Sequence, residues 1–103
     1  MSHSNIKITQ HEDEPCIEIK GLWDQSALDG LIKIFQKALT KVHARLYLRL
    51  SDLDYLDSAA LGVIMFNMNE LSKRNAKLVL LQPSEEMRLI LKTTSLDKVL
   101  EIR

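Results

Sequence analysis

One stretch of the chain decides the fold, because within it a strand pattern passes into a helix pattern: residues 46–71 read LYLRLSDLDYLDSAALGVIMFNMNEL. Residues 46–50 have the composition and length of a strand. The polar residues Ser51 and Asp52 mark a turn, and a helix is predicted from about Ser58 to Arg74. A strand that leads directly into a helix of this length is typical of a β-α-β unit.

The flanking sequence continues the same alternation. Further strands are predicted at residues 6–10, 16–20, 78–81 and 99–102, with a hairpin loop over residues 11–15. Further helices are predicted from a cap at Asp24 or Ser26 to Leu39, and from Ser84 to about Thr93. The order β-β-α-β-α-β-α-β predicts an α/β fold. Its sheet is mixed and mostly parallel, with four or five strands, an N-terminal hairpin and helices packed on it.

Length and charge exclude several classes of function. The chain has 103 residues, and its 14 Lys and Arg balance its 14 Asp and Glu. We therefore expect one domain over residues 1–103 and no nucleic-acid binding driven by bulk electrostatics. No apolar run approaches the roughly 20 residues of a membrane span. The first ten residues lack the apolar core of a signal peptide. We therefore expect a cytoplasmic protein without a membrane partner.

Residues that commonly carry catalysis are sparse in this chain. The single cysteine, Cys16, is expected to be a buried strand residue, and the sequence offers no thiolate zinc site. The three histidines are scattered at positions 3, 11 and 43, and the three glycines are too far apart for a phosphate-binding loop. Ser58 lacks the flanking glycines of a hydrolase nucleophile elbow, since Leu56 and Ala60 take their places. We expect no enzymatic activity, cofactor or metal.

The pair Asp57-Ser58 is the most suggestive feature of the chain. The spacing places Ser58 at or beside the N-cap of the second helix. In one interpretation the serine only caps the helix, which is worth about 1 kcal/mol. In the other, Ser58 accepts a phosphate that uses the unpaired N–H groups of the helix N-terminus. Asp57, and Asp24 from the loop after the second strand, would make the phosphorylated surface strongly anionic.

The second helix also offers a docking surface. At 100° per residue, one broad face is predicted to meet the sheet: Leu61, Ile64, Met65, Met68 and Leu71. Val63 and Phe66 then point away from the sheet, and Ala59 and Gly62 lie on the same outward side. This outward strip, Ala59, Gly62, Val63 and Phe66, is the predicted partner-binding surface. It requires that Phe66 be exposed.

Residues 50–63, LSDLDYLDSAALGV, resemble the signature of STAS domains, the anti-sigma factor antagonists. Residues 21–24 resemble the family's Gly-x-x-Asp after its second strand, and residues 96–102 resemble its C-terminal stretch. The resemblance covers nearly the whole chain. Two positions depart from the family pattern: Ala60 replaces a usual glycine, and Arg49 replaces a frequent aspartate.

The resemblance implies a STAS-like fold and a bacterial partner-switching protein. Such a protein, when unphosphorylated, binds a GHKL-type serine kinase that is also an anti-sigma factor. The kinase phosphorylates the serine that corresponds to Ser58, and a PP2C-type phosphatase reverses the reaction. ATP and Mg²⁺ belong to these partners. The alternative is a non-switching STAS scaffold or transporter-associated subunit in which Ser58 is only a helix cap. A small-ligand or nucleotide-binding module is the third interpretation.

Overall fold

Helices and strands alternate along the chain in the predicted order. The computed structural model describes residues 4–21, 23–53 and 55–103. His3, Leu22 and Asp54, which belong to the sequence patterns discussed above, lie outside the described residues. The strands are β1 (Ser4–His11), β2 (Glu14–Gly21), β3 (Arg45–Asp52), β4 (Lys77–Leu81) and β5 (Glu101–Ile102). The helices are α1 (Leu28–Leu39), α2 (Ser58–Ser72) and α3 (Glu85–Thr93). The 3₁₀ turns Gln25–Ala27 and Leu96–Lys98 precede α1 and β5.

The strands form one five-stranded sheet in the order β1-β2-β3-β4-β5. β1 pairs with β2 in antiparallel register, and the remaining neighbours are parallel. This confirms the predicted α/β fold with a mixed, mostly parallel sheet and an N-terminal hairpin. Each crossover moves one strand in the same direction, and right-handed crossovers of this kind place their helices on the same face of the sheet.

Side chains on the two faces of the sheet belong to two separate apolar clusters. Alternate residues such as Ile17, Leu48 and Leu80 pack with the buried residues of all three helices in one large core. The other face contributes Cys16, Tyr47, Val79 and Leu81, a cluster without a helical residue. The helices therefore cover one face. Cys16 is fully buried in β2, as its sequence context predicts.

Charged side chains seal the face that the helices leave open. Tyr47 is only 1% exposed there. Its hydroxyl donates to Glu12 at 2.7 Å, the His11 ring meets it edge-on, and the Arg103 guanidinium lies 5.9 Å from its ring centroid. The hydrogen bond from Tyr47 lowers the pKa of Glu12. Long polar side chains can cover apolar surface in this way while their charged ends stay in water.

The first hairpin is tighter than the sequence predicts. The loop expected over residues 11–15 is a two-residue turn at Glu12 and Asp13, whose φ angles of 52° and 66° suit a type I′ turn. Strand pairing continues to the pair His11 and Glu14. The polar residues of this segment suggested a loop, but Glu14 is instead 8% exposed and forms part of β2.

Three other boundaries differ from the predictions. α1 begins at Leu28, because a 3₁₀ turn capped by Asp24 comes first. α2 ends at Ser72 rather than Arg74, and Asn75 then takes a φ of 58° that turns the chain toward β4. The last strand begins at Glu101 rather than residue 99, because a 3₁₀ turn occupies Leu96–Lys98.

Candidate functional site

The candidate site lies at the carboxyl edge, which we define as the edge where β2, β3 and β4 end and the three helices begin. Lys20 near the end of β2 and Asp52 at the end of β3 are register partners, and their charged groups lie 3.9 Å apart. The loops that follow β2 and β3 therefore leave the sheet side by side. In parallel sheets, binding sites form where adjacent crossovers open in this way.

Asp57, not Ser58, caps α2. Asp57 has an extended backbone, with φ −82° and ψ 173°, and its Oδ1 accepts a hydrogen bond from the N–H of Ala60 at 2.9 Å. Ser58 is the first residue inside the helix. The interpretation of Ser58 as the helix cap is therefore wrong, because the neighbouring carboxylate already performs that role.

The Ser58 side chain is exposed and has no structural task within the described residues. Its hydroxyl makes no hydrogen bond to any of them, and the backbone N–H groups of Ser58 and Ala59 are also unpaired there. The N–H groups of Ala60 and Leu61 bond to the side chain and the carbonyl of Asp57, at 2.9 and 3.0 Å. A phosphate on Ser58 could therefore accept hydrogen bonds from two unpaired N–H groups, and not from all four N–H groups of the first helical turn.

The loop that presents Asp57 is anchored at two buried leucines. Leu53 is fully buried and Leu56 is 2% exposed. Ser84, the cap of α3, accepts from the N–H of Met87 at 3.1 Å and donates its hydroxyl to the Leu53 carbonyl at 2.8 Å. The burial of the two leucines and this hydrogen bond thus hold the loop against the start of α3.

The outward strip of α2 forms part of a groove. Phe66 is 63% exposed, as helical periodicity predicts, and Ala59 and Gly62 are exposed as well. Val63 is half-buried against the main core, so the prediction that it points away from the sheet is wrong in part. All four residues line a groove of about 370 Å³ between α1 and α2, together with Ile32, Gln36 and Asn67.

Sequence reasoning missed one residue that lines this groove and one exposed aromatic residue in the loop before α2. By helical spacing Ile32 shares the apolar face of Leu31 and Phe35, yet it is 37% exposed and lines the groove. The buried positions of α1 are Leu31, Phe35 and Ala38, a narrower stripe than the apolar pattern suggests. Tyr55, two residues before Asp57, is 56% exposed. The signal for Tyr55 in the sequence is an aromatic residue in the loop between β3 and α2.

Asp24 lies at the same edge, at the start of the helical segment that follows β2. Its carboxylate accepts hydrogen bonds from the backbone N–H of Ser26, at 2.7 Å, and from the Ser26 hydroxyl. Because β2 and β3 are parallel neighbours, the segments with Asp24 and with Asp57 leave the sheet at the same edge. The adjacent Trp23 packs partly buried against the core. Its indole N–H has no acceptor among the described residues.

The described residues include no group of three or more His, Cys, Asp or Glu side chains that could hold a metal ion. Within the same ranges, every helix is too short or too polar to cross a membrane. The features of the carboxyl edge are thus a free serine hydroxyl, nearby carboxylates and an apolar groove. These features suit protein recognition and modification.

The STAS domain family matches residues 5–103, and the chain belongs to this family. The resemblance read from residues 50–63 is thereby confirmed.

Relatives with known names support the same assignment. The chain is 32% identical over 69 residues to a Thermotoga maritima protein named as an anti-sigma factor antagonist; the match covers 67% of this chain and 61% of that protein. This chain thus spans about three fifths of the length of that relative.

Solved structures of similar proteins share the fold. An anti-sigma factor antagonist from Mycobacterium paratuberculosis has a TM-score of 0.83 at 17% identity, over 96% of this chain and 84% of that one. The phosphorylated form of the Bacillus cell fate determinant SpoIIAA has a TM-score of 0.73 at 19% identity, over 96% and 91%.

Proposed function

We propose that this protein is a bacterial anti-sigma factor antagonist whose partner binding is switched off by phosphorylation of Ser58. The observation that carries the proposal is the exposed Ser58 hydroxyl at the start of α2, with the cap supplied by Asp57. A serine that the fold does not use, at the end of a groove-forming helix, is well placed for modification. Named relatives of the family are anti-sigma factor antagonists, which supports the same function.

The proposed partner is a GHKL-type serine kinase that also acts as the anti-sigma factor. It would dock on the outward strip, with apolar contacts to Phe66 and to the groove between α1 and α2. The same partner would phosphorylate Ser58 with its own ATP and Mg²⁺, and a PP2C-type phosphatase would restore the free serine. The protein itself then acts as a cytoplasmic regulator rather than as an enzyme.

The switch would act by charge at an apolar contact. A phosphoserine carries about −1.5 to −2 charges at neutral pH. On Ser58 it would stand next to Asp57 and one helical turn from Gly62, at the end of the groove. Burying this charge against an apolar partner costs desolvation free energy, and the two free N–H donors offset only part of it. We therefore expect phosphorylation to expel the partner without unfolding the domain.

The decisive test maps the modification. The protein is incubated with its purified kinase partner, ATP and Mg²⁺, and phosphate is located by mass spectrometry. We expect label on Ser58 and its loss in Ser58→Ala. Ser72→Ala, an exposed serine at the far end of the same helix, serves as the matched control and should keep full labelling. An active kinase that leaves Ser58 unlabelled would contradict the proposed switch.

Binding measurements separate the switch from docking. Ser58→Ala should bind the kinase constitutively, and Ser58→Asp should bind at least tenfold more weakly. Fluorescence of Trp23, the single tryptophan, can report binding because it lies at the same edge. If Ser58→Asp binds as tightly as the unmodified protein, the chain is a non-switching STAS subunit instead.

The groove has its own matched pair of variants. Phe66 on α2 and Leu89 on α3 are 63% and 65% exposed, but only Phe66 lines the groove. Phe66→Ala should weaken kinase binding by about tenfold or more, the effect of removing an interface anchor. Leu89→Ala should leave binding unchanged. Equal effects of the two substitutions would place docking elsewhere.

A further inference from the structure

The groove between α1 and α2 contains a polar group that the fold leaves unused. Asn67 lines this groove, although the residue is only 4% exposed. Its Nδ2 donates to the Val63 carbonyl, one turn earlier in α2, at 2.8 Å. Its Oδ1 accepts no hydrogen bond from any described residue.

This Oδ1 atom also remains accessible to water. Of the described side-chain polar atoms, only the Trp23 indole nitrogen is both sealed from water and without a partner. The unpartnered Oδ1 of Asn67 is therefore not sealed, and the groove is the surface that this nearly buried residue lines. We infer that the Oδ1 opens into the groove.

The surroundings of this acceptor are neutral and largely apolar. Besides Asn67, the groove is lined by Gln36 and by five apolar residues or glycine: Ile32, Ala59, Gly62, Val63 and Phe66. The carboxylates of α1 and α2 are Asp29 and Glu70, and each pairs with a lysine, at 3.2 and 2.9 Å. The groove thus offers a hydrogen-bond acceptor without a free charge beside it.

The shape of the groove suits a flat side chain. A Cβ built on Gly62 meets no atom within 4 Å, so there is open space above this position. The exposed ring of Phe66 lies next to that space, and aromatic rings pack well in offset or edge-to-face contacts. Gly62 and Asn67 are separated by about 7.5 Å along the helix axis, at 1.5 Å per residue. An aromatic side chain with a polar tip is long enough to cover this distance.

We propose that Asn67 selects the partner of this surface by accepting a hydrogen bond from a tryptophan or tyrosine side chain of that partner. The aromatic ring would lie against Gly62 and Phe66, and its N–H or O–H would donate to the Asn67 Oδ1. Buried Trp and Tyr side chains usually find such a partner, and both are frequent at interfaces. That the partner is a kinase rests on the proposed function, whereas the preference of the groove does not.

Other side chains satisfy this groove less well. An aliphatic side chain would displace water from the Asn67 Oδ1 without replacing its hydrogen bond, and an unpaired buried acceptor is costly. A lysine would donate a hydrogen bond, but its charge would be buried without a free carboxylate among the lining residues. A serine or threonine is too small to reach both Phe66 and Asn67.

Titration of the full chain with small probes tests this preference. Indole and 1-methylindole share one ring system, but only indole donates an N–H. In NMR spectra of ¹⁵N-labelled protein, we expect both probes to shift the amide signals of Ala59, Gly62 and Phe66. Indole should bind about fivefold more tightly, the effect of one neutral hydrogen bond. The pair p-cresol and 4-methylanisole repeats the comparison for a phenol O–H.

A matched pair of variants assigns the preference to one residue. Asn67→Leu nearly conserves the size of the side chain and removes its Oδ1, so this variant should bind indole no more tightly than 1-methylindole. Asn69→Leu makes the same change at an exposed position of α2 outside the groove and should keep the preference. Circular dichroism checks folding, and Asn67→Ala is the second variant if leucine disturbs the packing. A purely structural role of Asn67 would not change the ratio of the two affinities.

The kinase complex extends the test to the partner. Asn67→Leu should weaken kinase binding by about tenfold or more, whereas Asn69→Leu should leave it unchanged. Replacing the partner's anchoring tryptophan or tyrosine by phenylalanine should weaken binding to the unmodified chain but have little effect on binding to Asn67→Leu, because the two groups share one hydrogen bond.

Three results with the probes would overturn the proposal. These are the absence of shifts at the groove amides at millimolar probe, equal affinities of the unmodified chain for indole and 1-methylindole, and a preference for indole that survives Asn67→Leu. The probe titrations involve neither a kinase nor phosphorylation of Ser58. Their failure is therefore distinguishable from failure of the proposed function.

Discussion

Glu14 connects the first hairpin to the start of β3 through a single carboxylate. Its two oxygens accept three backbone N–H groups, from His43, Ala44 and Arg45. Burial by itself would raise the pKa of Glu14, but these hydrogen bonds more than offset it and hold the pKa below its ordinary value of 4.5. The folded state thus favours the charged carboxylate, although the side chain is almost fully buried.

Replacing this carboxylate should cost stability in a pH-dependent way. We expect Glu14→Gln to lower the free energy of unfolding at pH 7 by about 1–3 kcal/mol, the range for a charged hydrogen-bond acceptor. Because the folded pKa is lowered, this stabilisation is present above pH 4.5 and is lost as the pH falls through the folded value. Urea unfolding of both proteins should therefore show a gap that narrows in acid. A gap that stays constant would exclude a role for the charge.

Asp57 has a structural role as the cap of α2, whereas the adjacent Ser58 is free for modification. Asp57→Ala removes the acceptor for the N–H of Ala60 and should lower the free energy of unfolding by about 1 kcal/mol. Ser58→Ala should change it by less than about 0.5 kcal/mol, because the hydroxyl has no partner among the described residues. Chemical denaturation measures both values. A larger decrease in the free energy of unfolding for Ser58→Ala than for Asp57→Ala would indicate that Ser58 caps the helix.

At the scale of the helices, Gly30 weakens α1 without an evident packing reason. It is exposed, and a Cβ built at this position meets no atom within 4 Å. Gly62 in α2 has the same open space but lines the groove. Gly21 differs, since its φ of 90° is one that other residues rarely adopt.

Alanine substitutions should distinguish Gly30 from Gly21. Gly30→Ala should raise the free energy of unfolding by about 0.5–1 kcal/mol through helix propensity and a less flexible unfolded chain. Gly21→Ala should instead destabilise by about 1 kcal/mol or more, because its positive φ becomes strained. Thermal unfolding followed by circular dichroism compares the two. A destabilised Gly30→Ala would reveal a constraint on α1 that its open surroundings do not show.

For the whole molecule, the main core joins every helix to the same face of the sheet. Buried residues of α1, α2 and α3 and alternate residues of the central strands form one cluster. The opposite face is sealed by the side chains around Tyr47 rather than by another layer. No element therefore has an apolar core of its own.

A shared core predicts cooperative unfolding. Trp23, which packs on the core from the loop after β2, should lose its native fluorescence at the same denaturant concentration at which circular dichroism reports loss of helix. Separated midpoints would show that the β1–β2 hairpin and its loop unfold independently. Ser72→Ala, far from Trp23 and exposed, is a suitable control for both probes.

Patterns within a single element were predicted well. The order of the elements, the buried Cys16 and the exposed Phe66 follow from alternation and helical periodicity, which depend on neighbouring residues. The start of α3 at Ser84, with Glu85 and Glu86 in its first turn, is a local capping signal of the same kind. The family signature in residues 50–63 is also local.

Features that depend on contacts between elements were predicted poorly. The sequence around Glu14 predicts a loop, because the N–H groups that bind its carboxylate come from the distant segment near residue 44. Ile32 looks like a core residue until the distance between α1 and α2 leaves it at the rim of a groove.

The sequence by itself determined the fold class, the family and the position of Ser58 at the start of a helix, because each depends on short-range pattern. Only the tertiary structure decided that Asp57 rather than Ser58 caps that helix, because backbone angles choose between two adjacent acceptors. Only the tertiary structure decided on which side of the sheet each helix begins and ends. Three parallel crossovers bring helix starts to one side of the sheet and helix ends to the other.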